Sequence, residues 1–103
     1  MTVETAQTEI VITHQVGLHA RPSVKFTKLA KNFECAIEVA IAPQGPWIDA
    51  KGIVKIMALK APVGTRLQIR ASGVDAAKAV EALRALVERD FDEGESHAQA
   101  AQA

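Results

Sequence analysis

The chain has 103 residues, of which 49% are hydrophobic, enough for one domain with a small core. Its formal charge is zero, with one cysteine, one tryptophan and no tyrosine, which excludes an internal disulfide and a thiolate metal cluster and argues against a nucleic-acid-binding surface. No apolar stretch approaches the roughly 20 residues of a membrane-spanning helix, and Met1 to Thr8 lacks the basic start and apolar run of a signal peptide, so a cytoplasmic location is expected.

Residues 1–7 are polar and are predicted to form a disordered tail. Glu9 to Thr13 is β-branched and almost continuously apolar, which predicts a strand. His14 to His19 reads as a loop. Ala20 to Lys31 reads as a helix, with Pro22 in the first turn, where its missing N–H does no harm. Phe26, Leu29, Ala30 and Phe33 recur at helical spacing, while Arg21, Lys25 and Lys28 form a basic stripe.

Glu34 to Ala42 alternates, placing Cys35, Ile37, Val39 and Ile41 inward and Glu34 and Glu38 outward. Pro43-Gln44-Gly45-Pro46 is a turn signal, and Trp47 to Ala50 completes a hairpin in which Trp47 covers the outer face or edge. Gly52 to Leu59 is an apolar run compatible with strand or helix; Met57, Ala58, Leu59 and Lys60 favour a short helix. After Gly64-Thr65, Arg66 to Ser72 alternates with Leu67, Ile69 and Ala71 inward. Asp75 is then placed to cap a helix reaching about Arg89, whose core stripe is Ala79, Val80, Leu83, Leu86 and Val87. Residues 92–103 read as a second polar tail.

This order predicts an α+β fold: an open-faced two-layer β-α-β-β-α-β-α sandwich over residues 8–91, with a four-stranded antiparallel sheet and three helices on one face. Charge is uneven along it. Residues 20–60 carry seven Lys/Arg against three acids, and residues 75–95 reverse this with seven acids against three bases. The basic half predicts an acidic ligand or partner. Neither a metal-ligand cluster nor a Walker-type loop is present, so no metal and no cofactor is expected.

His19 is the residue with the most specific surroundings. It stands where loop passes into a helix N-terminus, a place of available N–H groups and positive dipole that suits phosphate. A histidine at a phosphate site suggests phosphohistidine chemistry. His14, by contrast, reads as a solvated loop residue close enough to tune the site, His97 lies in the tail, and Cys35 reads as a small buried apolar residue.

The run Gly17-Leu18-His19-Ala20-Arg21-Pro22 resembles the active-site signature of the HPr family, histidine-containing phosphocarriers of the bacterial phosphoenolpyruvate-dependent phosphotransferase system. The resemblance extends over about residues 8–90 through the element order, Lys51 before the short helix, the Gly64-Thr65 turn and Gly73-x-Asp75 before the last helix. It implies that His19 is phosphorylated on Nδ1, that Arg21 is its guanidinium partner and that the N–H groups of Ala20 and Arg21 receive phosphate oxygens. It further implies enzyme I as donor and an enzyme IIA-type protein as acceptor, in sugar uptake or a nitrogen-type regulatory branch. Many members carry a regulatory serine directly after the residue matching Lys51. Here that residue is Gly52, which has no hydroxyl for a serine kinase.

Such a carrier needs a neutral imidazole, which histidine's reference pKa of about 6.5 supplies near neutral pH. Once attached, the phosphoryl charge of about −2 is stabilised by helix N–H groups and by the fork of Arg21. Val24, Ile53, Val54 and Met57 exceed what a core filled by Phe26, Ile56 and Leu59 can take, although burial of Val54 is an equal alternative. Rimmed by Arg21, Lys28, Lys31, Lys51 and Lys55, they predict a partner-docking patch on a monomer. The alternative class is an HPr-like regulatory module that binds and controls a target protein according to its phosphorylation state.

Overall fold

The computed structural model describes residues 4–14 and 17–92. Strands β1 (Thr5–Val11), β2 (Ala36–Ala40), β3 (Ile48–Asp49) and β4 (Arg66–Ser72) form one sheet in the order β1-β4-β2-β3, each neighbouring pair antiparallel. Helices α1 (Ala20–Ala30), α2 (Ile53–Ala58) and α3 (Ala76–Glu88) cover one face, and a short non-helical turn follows at Asp90–Asp92.

The topology has a simple cause. β1 and β2 are both antiparallel to the strand between them, so they run parallel to each other and require a crossover, which α1 provides. β3 and β4 stand in the same relation around β2, and α2 provides that crossover. Because the two pairs run in opposite directions and advance in opposite senses, right-handed connections put both helices on the same face. α3 packs there against β1 and β4.

Register matches the alternation. Ile37 lies opposite Ala71, Val39 opposite Ile69, and Ile10 opposite Leu67. Against this inner face pack Phe26 of α1, Ile56 of α2, and Leu83 and Val87 of α3, all with no exposed surface. Each such side chain contributes about 1.5–3 kcal/mol on burial. On the outer face Arg70 donates through Nε and Nη2 to Glu38 Oε1, both at 2.8 Å, and its guanidinium lies 3.9 Å from the centre of the Trp47 ring. Trp47 therefore covers the outer face of the hairpin.

Several boundaries differ from those the sequence predicts. The segment 1–7 is not wholly tail: β1 begins at Thr5, and Glu4 is bonded into the fold. β2 is confined to Ala36–Ala40, and Ile41 is exposed rather than inward, because the chain has already entered the turn. Asp75 occupies the N-cap position of α3 but lies in the left-handed region (φ 61°) and makes no side-chain cap. Glu4 does that work instead. Its carboxylate accepts the Ala77 N–H at 3.1 Å, and its carbonyl accepts the Gly73 N–H at 2.8 Å. At the other end Asp92 belongs to the structured turn. His97, like the rest of the predicted C-terminal tail, lies outside the described residues.

Candidate functional site

His19 is the N-cap of α1, with extended backbone (φ −86°, ψ −166°). Its carbonyl accepts the Ser23 N–H at 2.9 Å, which starts the helix. Pro22 follows within the first turn without forfeiting a bond. Ser, Thr, Asp and Asn are the usual N-caps because their side chains bond back to the first turn. The imidazole of His19 makes no such bond and stands exposed. A helix supplies no acceptor of its own for the N–H groups of its first turn, and Ala20 and Arg21 open α1. Arg21 is also exposed, two residues from His19.

The approach to His19 is held firmly. Gly17 adopts φ +66°, and a Cβ there would stand 2.3 Å from the Ala61 carbonyl oxygen. That oxygen accepts the Leu18 N–H at 2.9 Å, and the Leu18 side chain is buried. The Leu18 carbonyl in turn accepts the hydroxyl of fully buried Ser23 at 3.3 Å. The Gly17 N–H donates to the His14 carbonyl at 2.9 Å. Gly17, Leu18, Pro22 and Ser23 thus each have a local structural task, whereas the imidazole of His19 makes no cap bond. Gln15 and Val16 lie outside the described residues.

A pocket of about 400 Å³ opens beside His19, lined by Leu18, Met57, Lys60, Ala61 and Pro62. The sequence offers Lys60 only as a helix former, and the structure places it outside α2. It sits at φ 51° just after α2, and the signal for it was the basic residue between Leu59 and Ala61-Pro62. Met57, which lines the pocket, is 41% exposed. Val24 on α1 and Val54 on α2 are 45% and 76% exposed, which resolves the alternative left open for Val54. Ile53, the first residue of α2, is half-buried.

The basic rim divides. Lys28 and Lys31 line a separate groove between α1 and α3, together with Lys25, Arg89 and Asp92. The Arg89 guanidinium donates to Asp92 at 2.7 Å and holds its carboxyl below the ordinary carboxylate range. Lys51 faces neither: its ammonium donates to the Phe33 carbonyl at 2.7 Å, tying α2's entrance to the chain leaving α1. This contact gives Lys51 a structural role. His14 is not simply solvated either, since its ring meets buried Phe91 edge-on with centroids 5.8 Å apart.

Among the described residues no group of three or more His, Cys, Asp or Glu could hold a metal ion, and no helix is long and apolar enough to cross a membrane.

Residues 6–89 match the family described as PTS HPr component, phosphorylation site. The phosphocarrier protein HPr of Cupriavidus necator H16 is 39% identical over 89 residues, covering 86% of this chain and 98% of that protein. The phosphocarrier protein NPr of Proteus mirabilis is 31% identical over 84 residues, covering 82% and 92%. In structure, HPr-C-His from Thermoanaerobacter tengcongensis superposes with a TM-score of 0.79 at 34% identity, over 85% of this chain and 97% of that one.

Proposed function

The chain belongs to the HPr family, the phosphoryl carriers of the bacterial phosphotransferase system, and from that premise we propose that His19 is the residue that carries the group. The observation behind this assignment is the exposed imidazole at the N-cap of α1, which spends no bond on the helix it begins. Anions are favoured at that position by the helix dipole and by first-turn N–H groups.

In the proposed step the neutral imidazole of His19 attacks with the Nδ1 lone pair the phosphorus held by a phosphohistidine of enzyme I. The donor N–P bond breaks as the new one forms, and the donor nitrogen recovers its lone pair. The N–H groups of Ala20 and Arg21 and the Arg21 guanidinium receive the phosphoryl oxygens. Little covalent chemistry is asked of the protein beyond positioning and charge. The reverse geometry delivers the group to a histidine of an enzyme IIA-type acceptor. Val24, Ile53, Val54 and Met57 form the apolar centre of the docking surface, with Lys60 beside His19 and Lys28 and Lys31 farther along α1. One surface serving donor and acceptor in turn fits a carrier that works as a monomer in the cytoplasm.

The test is intact mass after incubation with enzyme I, Mg²⁺ and phosphoenolpyruvate. The native chain gains one acid-labile phosphate and His19→Ala gains none. No gain on the native chain, with an enzyme I shown to charge another carrier, sinks the assignment.

A further inference from the structure

The short turn after α3 has an unusual backbone. Asp90, Phe91 and Asp92 all lie in the left-handed region, with φ of 54°, 58° and 60°. Single non-glycine residues visit that region; three in succession are disfavoured by contacts between Cβ and backbone. Such a turn persists only where surrounding contacts fix it. Here there are three anchors, and two of them serve another part of the molecule.

The first anchor is local: Arg89 Nε donates to Asp92 Oδ1 at 2.7 Å. The second is Asp90, whose Oδ1 accepts the Thr13 hydroxyl at 2.5 Å, between residues 77 apart in sequence. The third is Phe91, which has no exposed surface and receives the His14 ring edge-on at an interplanar angle of 76°. Thr13 and His14 begin the loop that leads to His19. The His14 carbonyl accepts the Gly17 N–H, and Leu18 is fixed on Ala61. The loop is thus gripped at its far end by the α2–β4 connection and at its near end by the post-α3 turn. That turn lies just past the stretch, residues 6–89, that matches the family.

We propose that Asp90 and Phe91 form a clasp that positions the phosphorylation loop. By holding Thr13 and His14 they fix the near end of the Gly17-Leu18 segment and, through it, the aim of the His19 imidazole. They act through the loop and do not touch the phosphoryl group. The proposal rests on His19 being the carrier residue. It also accounts for why a disfavoured backbone is retained: its contacts close a loop that must present one nitrogen in line with the donor phosphorus, where misplacement on the order of 1 Å costs about a hundred-fold.

The experiment uses the full chain carrying Thr13→Val, which removes the hydroxyl at nearly constant shape, and separately Phe91→Leu, which keeps burial but removes the aromatic edge contact. Val80→Ala, in the core of α3 and away from the clasp, controls for loss of stability. Two quantities are read: single-turnover phosphoryl transfer from radiolabelled phospho-enzyme I at varied donor concentration, and amide exchange at Gly17 and Leu18 by NMR. Both clasp variants should lower the maximal transfer rate on the order of ten-fold, with the half-saturating donor concentration unchanged because the docking surface is untouched. Gly17 exchange should accelerate while Leu18, bonded to Ala61, stays protected. Val80→Ala should keep wild-type transfer and wild-type Gly17 exchange. Unchanged transfer rates in the clasp variants, with or without faster Gly17 exchange, overturn the proposal. So does equal slowing in Val80→Ala. A wild-type chain that accepts no phosphoryl from a competent enzyme I overturns the carrier assignment and the clasp together, whereas a labelled wild type with indifferent variants overturns the clasp alone.

Discussion

Gly17 and Ala61 lie so close that no side chain fits between them: a Cβ on Gly17 would stand 2.3 Å from the Ala61 carbonyl oxygen. The contact locks the loop before His19 onto the connection after α2, using a backbone conformation (φ +66°) that glycine adopts without penalty.

Gly17→Ala should therefore do two kinds of damage. The left-handed φ and the clash together cost about 1–3 kcal/mol, read as a lowered midpoint in urea. The Leu18 N–H must also move away from Ala61, so phosphoryl transfer should fall more steeply than stability predicts. Transfer at the wild-type rate in a folded Gly17→Ala chain would show that this contact does not position His19.

Glu4 offers a test far from the site. Its carboxylate caps α3 at the Ala77 N–H, the place Asp75 leaves empty by turning left-handed. Glu4→Ala should cost about 0.5–2 kcal/mol, with transfer unchanged at temperatures where the fold is intact. Asp75→Ala should cost no cap energy, and its effect should come only from the left-handed backbone. A larger capping loss at Asp75 than at Glu4 would reverse the assignment.

These two positions also show what the sequence can and cannot disclose. Gly17-Leu18-His19-Ala20-Arg21-Pro22 is legible because each residue answers a local demand: a turn, an anchor, a helix start. α1, β4 and α3 are legible because their apolar periods are clean, whereas the run Gly52 to Leu59 fits strand or helix and is decided only by its helix formers. Glu4 is not, because its acceptor role depends on α3 arriving beside β1 some 70 residues later, and nothing local marks it. The cap at Asp75 is misread for the converse reason. The residue type is right for an N-cap, but Asp75 lies in the left-handed region and its side chain makes no cap bond. The contacts of Lys51 and His14 are hidden in the same way, since each reaches a partner distant in sequence, Phe33 and Phe91 respectively.

Gly52 is the N-cap of α2 and makes no side-chain cap, and a Cβ there would meet nothing nearer than 3.7 Å. Gly52→Ser should accordingly be accepted without strain and gain a few tenths of a kcal/mol as a cap. It should also create a hydroxyl acceptor for a serine kinase of the kind that acts on family members with serine at this place, while the native chain gains no phosphoserine. Mass analysis after treatment with such a kinase and ATP, with His19→Ala as background, checks both statements.

The Arg89–Asp92 pair makes acid a probe of the post-α3 turn. Hydrogen bonding to Arg89 lowers the Asp92 pKa in the folded chain, so the pair's contribution is complete above the ordinary carboxylate pKa and is lost as pH falls through the lowered one. Both groups are about half exposed, so the effect is small and screened by salt. An NMR titration should place Asp92 below an unperturbed aspartate, and Arg89→Gln should return it upward. No movement in that variant would remove the guanidinium as the cause.

Val54 and Lys51 separate docking from folding. Val54 is 76% exposed, so Val54→Asp should change stability by no more than about 0.5 kcal/mol. If the patch is where enzyme I docks, the half-saturating concentration of phospho-enzyme I should rise on the order of ten-fold, the loss of about 1.4 kcal/mol that a central contact carries. If the lysine rim steers toward an acidic partner, added salt should weaken docking further. Lys51→Met should behave in the opposite manner. Its ammonium is committed to the Phe33 carbonyl, so the substitution should cost about 1–2 kcal/mol of stability through an acceptor left unpaired, with docking strength and its salt dependence unchanged. A weaker, less salt-sensitive association in Lys51→Met would return that lysine to the partner surface.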